Sequence, residues 1–136
     1  MASLIDTGFL VAVLSANDRM HGYCAEVLEL ESEPLIPSVI LTEVLYLIIR
    51  DVGYATLIRL LRALGNEELP VIFPTIADFI RASDIMEKYV DSRIDFVDCM
   101  IVAMAERLDI TRILTIDQRD FRMFRPKHTA AFEILP

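Results

Sequence analysis

At 136 residues the chain is long enough to bury roughly two-thirds of the surface its unfolded form exposes, and one domain spanning residues 1–136 is expected. Hydrophobic residues make up 54% and mean hydropathy is +0.46, yet no apolar run reaches the roughly 18 residues a bilayer-spanning helix needs. The net charge of −8 argues against a passive nucleic-acid coat, which carries a basic face, but not against an enzyme that brings its own cations to a phosphodiester.

The order of elements follows from periodicity and punctuation. Ala2-Ser3-Leu4-Ile5 reads as a short apolar strand that ends in Asp6-Thr7-Gly8. Phe9 to Ala16 is apolar and helical, and a second helix is expected from about Met20 to Glu31. Pro34 to Pro37 is extended, because a proline disfavours helix in the residue before it. Ser38 is placed to cap a helix over Val39 to Ile49, and Gly53 separates this from another over Tyr54 to Leu64. Pro70 to Pro74 is a third strand. Thr75 then caps a helix reaching about Val90, whose inner side is expected to carry Ile76, Phe79, Ile80, Ser83, Met86 and Tyr89.

The helix that follows is the most apolar of the chain. Val97, Met100, Ile101, Met104 and Leu108 recur at helical spacing while Cys99, Val102, Ala103 and Ala105 fill the other faces, so it is packed on most sides. Arg112 to Ile116 reads as a buried strand with Asp117 at its exit. Arg119 to His128 is expected to be basic and irregular, and Ala131 to Leu135 a last strand. Strands alternating with helices at this spacing predict an α/β fold, a short parallel sheet of four to five strands with helices on both faces. Cys24 and Cys99 lack metal-ligand spacing and read as reduced core thiols; with no secretory leader pattern, a cytoplasmic location is expected.

Chemistry in open parallel sheets gathers at the carboxyl ends of strands. Asp6 and Asp117 each stand where a strand ends, although an aspartate there also commonly caps the next helix. Asp95 and Asp98 share a first helical turn, with Asp95 suited to the cap and Asp98 to the inner position. Glu43 is read as lying five residues inside an apolar helix, where its neighbours one turn away, Val39, Ile40, Tyr46 and Leu47, offer no cation, although Thr42, Glu43, Tyr46 and Arg50 could also line one solvated edge. Two carboxylates 4 Å apart repel by roughly 4 kcal/mol at an effective dielectric of 20, so four converging acids need cations. Oxygen ligands of this kind suit Mg²⁺ or Mn²⁺, and the chemistry that follows is hydrolysis of a phosphodiester by metal-activated water.

At these residues the sequence resembles the PIN-domain ribonucleases, and among them the VapC-type toxins of type II toxin–antitoxin pairs. The similarity runs through Leu4 to Gly8, Pro37 to Val44, Phe96 to Asp98, Ala103 to Leu108, Leu114 to Phe121, Arg125 to His128 and Ala131 to Pro136. It implies that Asp6, Glu43, Asp98 and Asp117 are acidic metal-site residues, with Thr7 and Thr115 as supporting hydroxyls. It also implies Mg²⁺- or Mn²⁺-dependent cleavage of RNA, a homodimer and a small inhibitory antitoxin. Asp95 and Asp120 join the supporting set with their roles open. Arg119, Arg122, Arg125 and Lys127 make the C-terminal quarter the most basic part of the chain and are candidates for contact with the RNA backbone.

Other chemistries fit the sequence less well. Asp6-Thr7-Gly8 matches the aspartic-protease triplet, but those enzymes are all-β. A haloacid-dehalogenase phosphatase needs a second Asp where Gly8 stands, and two histidines are too few for a typical zinc hydrolase. Four glycines build no Gly-rich phosphate loop. The alternative that remains is a non-catalytic PIN-like interaction scaffold, which has no need of Glu43.

Overall fold

In the computed structural model, which describes residues 1–136, five strands form one sheet: β1 (Ala2–Ile5), β2 (Glu33–Pro37), β3 (Val71–Ile72), β4 (Arg112–Leu114) and β5 (Glu133–Leu135). Their order is β3-β2-β1-β4-β5 and every neighbouring pair is parallel. Leu4 of β1 lies between Leu35 of β2 and Ile113 of β4, which sets the register at the centre. Parallel strands need crossovers, and seven helices supply them: α1 (Thr7–Leu14), α2 (His21–Leu30), α3 (Leu41–Asp51), α4 (Tyr54–Gly65), α5 (Ile76–Lys88), α6 (Phe96–Leu108) and α7 (Gln118–Met123). The expected α/β architecture is present.

The chain runs outward from β1 through β2 to β3, then returns past β1 to lay β4 on its other side. The crevice of such a sheet opens at this switch, beyond the carboxyl ends of β1 and β4. The backbone closes the gap below it, with Asp6 N–H donating to the Leu114 carbonyl at 2.9 Å and Thr115 N–H to that of Leu135 at 2.8 Å. Leu4, Ile5, Ile113 and Leu114 are fully buried, as are Phe9 and Leu10 of α1 and Met100, Ile101 and Met104 of α6. Every residue of α6 from Cys99 to Ala105 is buried, as its unbroken apolar run requires. Both cysteines are free and buried.

Four expectations need correction. The helix over 76–88 is present and Thr75 caps it through a capping box with Asp78, but its faces are reversed. Asp78, Ala82 and Ile85 point inward, while Ile76 is 80% exposed, Ile80 65%, and Phe79 and Met86 also face solvent. The inner face is decided by α6: Arg107 meets Asp78 at 3.0 Å, Arg81 meets Glu106 at 2.6 Å, and small Ala82 brings the helices close. Ser38 does not cap α3, because residues 38–40 form a single 3-10 turn and the helix starts at Leu41. The basic stretch after Asp117 is not wholly irregular, since Gln118–Met123 is helical. The last two strands are shorter than their apolar runs, because parallel partners are available only over three residues of each.

Candidate active site

Asp6 is placed by the end of β1 and fixed from two sides. Its Oδ1 accepts the Thr7 backbone N–H at 2.8 Å and its Oδ2 accepts the Thr115 hydroxyl at 2.9 Å, so both oxygens are held and the side chain is only 7% exposed. Thr115 follows β4, and its Oγ1 also accepts the backbone N–H of Asp117 at 3.2 Å. This short chain of donors couples the exits of the two central strands. Gly8 completes the closure: a Cβ there would stand 2.9 Å from Cγ1 of Ile116, so any larger residue would push α1 away from the loop after β4.

Around this floor, Asp6, Thr7, Gly8, Glu43, Leu47, Asp95, Val97, Asp98, Ile116 and Asp117 line one cavity of about 250 Å³. Five of its lining residues are carboxylates and none is a cation. Asp95 caps α6 by accepting the Val97 N–H at 3.3 Å, as its sequence position predicts, while Asp98 one turn on faces the cavity. Glu43 is not deep in a helix after all. With α3 beginning at Leu41 it sits in the first turn, where a negative charge is favoured by the helix dipole, and its side chain still reaches the cavity.

The electrostatics follow from burial and like charge. Burial pushes the Asp98 carboxyl up to about 8, helped by the charges of Asp6, Asp95, Asp120 and Asp117. Burial also raises Asp6, with Asp117 and Glu43 adding to it, although the bonds from Thr115 and Thr7 pull the other way. Protonation is the response of such a set to the lack of a counter-charge, and a divalent cation is the other. The residues present fit a hard cation: all donors are oxygens, and the buried Thr7 hydroxyl at the cavity wall has no partner. No three acidic, histidine or cysteine side chains are closed around one point. A hard cation in this cavity would be met directly by one or two of these carboxylates, with waters or phosphate oxygens between it and the others.

Among the expected site residues, then, Asp6, Thr7, Glu43, Asp95, Asp98 and Asp117 come together, and Thr115 stands beneath them. Asp120, on α7, does not line the cavity and reaches Asp98 only through its field. Nor do the four basic candidates line it. Arg122 bonds Gln118 at 2.6 Å, and Arg125 donates to the carbonyls of Arg122 and Phe124 at 2.6 and 2.9 Å, closing the end of α7. The Lys127 backbone N–H is spent on Glu106, and Arg119 is exposed on the first turn of α7. The sequence reading missed Leu47, Val97 and Ile116 as wall residues. Leu47 follows Glu43 by one turn, and Ile116 lies between Thr115 and Asp117, so spacing from the acids is the signal that finds them.

A small parallel sheet with an acid-lined crevice at its central switch places the chain among α/β domains with a site at the strand ends, and one family accounts for it here. The PIN-domain family model matches residues 3–125, and the chain belongs to that family. It is 30% identical over 134 residues to Ribonuclease VapC26 of Mycobacterium tuberculosis, across 98% of this chain and 99% of that protein. Solved structures share the fold at lower identity. VapC20 of Mycobacterium tuberculosis, a toxin that cleaves the sarcin-ricin loop, superposes with a TM-score of 0.74 at 19% identity over 82% of this chain and 86% of that one. VapBC2 of Rickettsia felis, solved on a promoter DNA fragment, gives 0.72 at 15% identity with both chains fully covered.

Proposed function

We propose that the chain is a divalent-metal-dependent endoribonuclease, the toxin of a type II toxin–antitoxin pair, with Asp6, Glu43, Asp98 and Asp117 as its metal-holding acids. The observation that carries this reading is the meeting of four acids from β1, α3, α6 and the end of β4 in one cavity that no cation lines, in a chain similar along its whole length to a VapC ribonuclease. Bound Mg²⁺ or Mn²⁺ would supply Lewis-acid chemistry, activating water and neutralising charge that develops on the phosphate. The chain's own part is positioning. Thr7 and Thr115 immobilise Asp6, the first turns of α3 and α6 present Glu43 and Asp98, and Asp117, just beyond β4, lines the same cavity. Of the basic candidates, Arg119 has the strongest claim to a phosphate contact, because Asp117 is the residue that precedes its helix.

The partners follow by likeness and by surface. A small antitoxin is assigned because similar chains were solved in VapBC assemblies, and the acid cavity suits a basic side chain of such a partner. A homodimer is assigned because the outer face of α5 leaves Ile76, Phe79, Ile80 and Met86 exposed. No helix is long and apolar enough to cross a membrane, and two reduced thiols suit a cytoplasmic location.

The deciding experiment is incubation with a panel of structured RNAs in Mg²⁺, in Mn²⁺ and in excess EDTA. Cleavage is expected with the ions and not with EDTA. Cleavage undiminished in EDTA would sink the metal mechanism, and a folded protein that cuts no RNA in either ion would favour the interaction scaffold.

A further inference from the structure

A cavity walled by five carboxylates on a chain of net charge −8 repels the RNA backbone it is assigned to cut. Cations that hold a phosphate at the reacting centre do not explain how the flanking nucleotides are gripped. The usual means, Arg and Lys along a groove, is sparse here: Arg119 is proposed above for a single phosphate contact. Arg122 and Arg125 are bonded within their own segment, and Arg50 on α3 is held by Asp51 at 2.7 Å. Two exposed aromatic residues are chain neighbours of residues that line the cavity. Phe96 is 44% exposed although it heads the most buried helix of the molecule, and its chain neighbours Asp95 and Val97 both line the cavity. Tyr46 is 60% exposed on α3, one turn beyond Glu43 and next to Leu47, which are likewise cavity residues. The Arg50 guanidinium lies 5.7 Å from the Tyr46 ring centroid and covers part of that ring, while the rest of it and nearly half of Phe96 are left in water.

We infer that Phe96 and Tyr46 are stacking residues at the mouth of the acid cavity, each receiving an unstacked base of single-stranded RNA beside the phosphate to be cut. The inference rests on the ribonuclease reading and adds to it two base-stacking positions, which a paired base, having no free face, could not occupy. Stacking suits this site because it is indifferent to the sign of the surrounding charge and tolerant of base identity.

The test measures binding apart from cleavage. A short unstructured RNA carrying 2-aminopurine is titrated with the full-length protein in Ca²⁺, and cleavage of the unlabelled RNA is followed separately in Mn²⁺. The wild type is expected to quench the fluorophore and to ignore the same sequence in a duplex. Phe96→Ala and Tyr46→Ala should each bind between about 5-fold and 150-fold more weakly, with the loss in KM rather than kcat, and Phe96→Tyr and Tyr46→Phe should restore binding. Phe96→Leu, which keeps apolar bulk without the ring face, should behave as Phe96→Ala and covers the case that the alanine variant folds poorly. The salt dependence should be shallow, with log affinity falling by less than roughly 1 per decade of salt, where four neutralised phosphates would give roughly 3. Unchanged affinity in both alanine variants, full binding by Phe96→Leu, or dissociation of a dimer by Phe96→Ala would overturn the inference. Wild-type quenching without cleavage would count against the nuclease reading and leave the stacking intact.

Discussion

Removing the charge of Asp98 or of Glu43 tells a metal site from a structural one. Asp98→Asn and Glu43→Gln should each abolish RNA cleavage in Mn²⁺; in EDTA Asp98→Asn should leave the protein more stable, because burial and then the neighbouring acids disfavour its charge, while Glu43→Gln at an exposed position should leave stability unchanged. Melting in EDTA alongside a cleavage assay decides it; active but destabilised variants would refute the site. Asp95 should behave oppositely if it only caps α6, with Asp95→Ala costing about 0.5–2 kcal/mol and activity surviving at low temperature. Thr115→Val leaves an Asp6 oxygen buried without its donor, a loss of about 1–3 kcal/mol, and should lower activity by roughly 10- to 100-fold. The pH dependence has a definite sign. Asp98 is raised from 3.8 to about 8 in the folded protein, so between those values the folded state binds more protons than the unfolded one. Stability of the metal-free protein should therefore be greatest near pH 4 and fall as pH rises towards 8, with Asp6 acting in the same direction. Saturating Mn²⁺ should flatten that slope in thermal melts; a metal-free slope of the opposite sign would contradict the raised carboxyls.

Elements read from the sequence succeeded where one physical signal was enough. The α6 run is apolar on every side and so had to be buried, and Asp95 before it had the geometry of a cap. The strand exits at Asp6 and Asp117 were legible because an apolar run ended in a polar residue. What periodicity could not decide was which face of α5 turns inward. Its stripe of Ile76, Phe79, Ile80 and Met86 has the helical phase of a core face, yet α6 offers that helix Arg107 and Glu106, and the polar Asp78 is the residue that is buried. Arg107 lies 29 residues beyond Asp78, so the contact that decides the inner face cannot be seen from the stripe alone. The single turn at 38–40 was hidden in the same way, because nothing in Ser38-Val39-Ile40 distinguishes 3-10 from α geometry; the shift moved Glu43 from mid-helix to a first turn. The α5–α6 polar seam can be tested directly. Asp78→Ala removes both the partner of Arg107 and the capping-box bond to the Thr75 N–H, and should cost about 3 kcal/mol in urea unfolding. A loss under half of that would mean the seam tolerates an uncompensated Arg107.

At the scale of the whole molecule, the reversal of α5 bears on assembly. The apolar runs of α3 and α4 are candidates for meeting a second copy; Val44, Ile48 and Leu60 of those helices are taken up by the core, leaving Tyr46 and Ile49 exposed on one and Tyr54 and Leu61 on the other. The outer face of α5 is larger, with Ile76, Phe79, Ile80 and Met86 exposed along it, Phe73 just before it and Val90 just after. A contiguous apolar face of that kind on a chain of net charge −8 is unlike an ordinary monomer surface, because charge elsewhere keeps the molecule soluble while one stripe stays sticky. We therefore expect a homodimer that buries α5 against its symmetry mate. In a two-fold contact each substitution appears twice, so Ile80→Glu places two buried like charges across the axis and should weaken association by at least about 2 kcal/mol, roughly 30-fold. Ile80 faces away from the core, so the same change should barely move the unfolding midpoint measured at low protein concentration. Light scattering at micromolar concentration is expected to give a dimer for the wild type and a monomer for Ile80→Glu. A wild type that scatters as a monomer, or a variant that stays dimeric while Ile49→Glu on α3 does not, would move the contact away from α5.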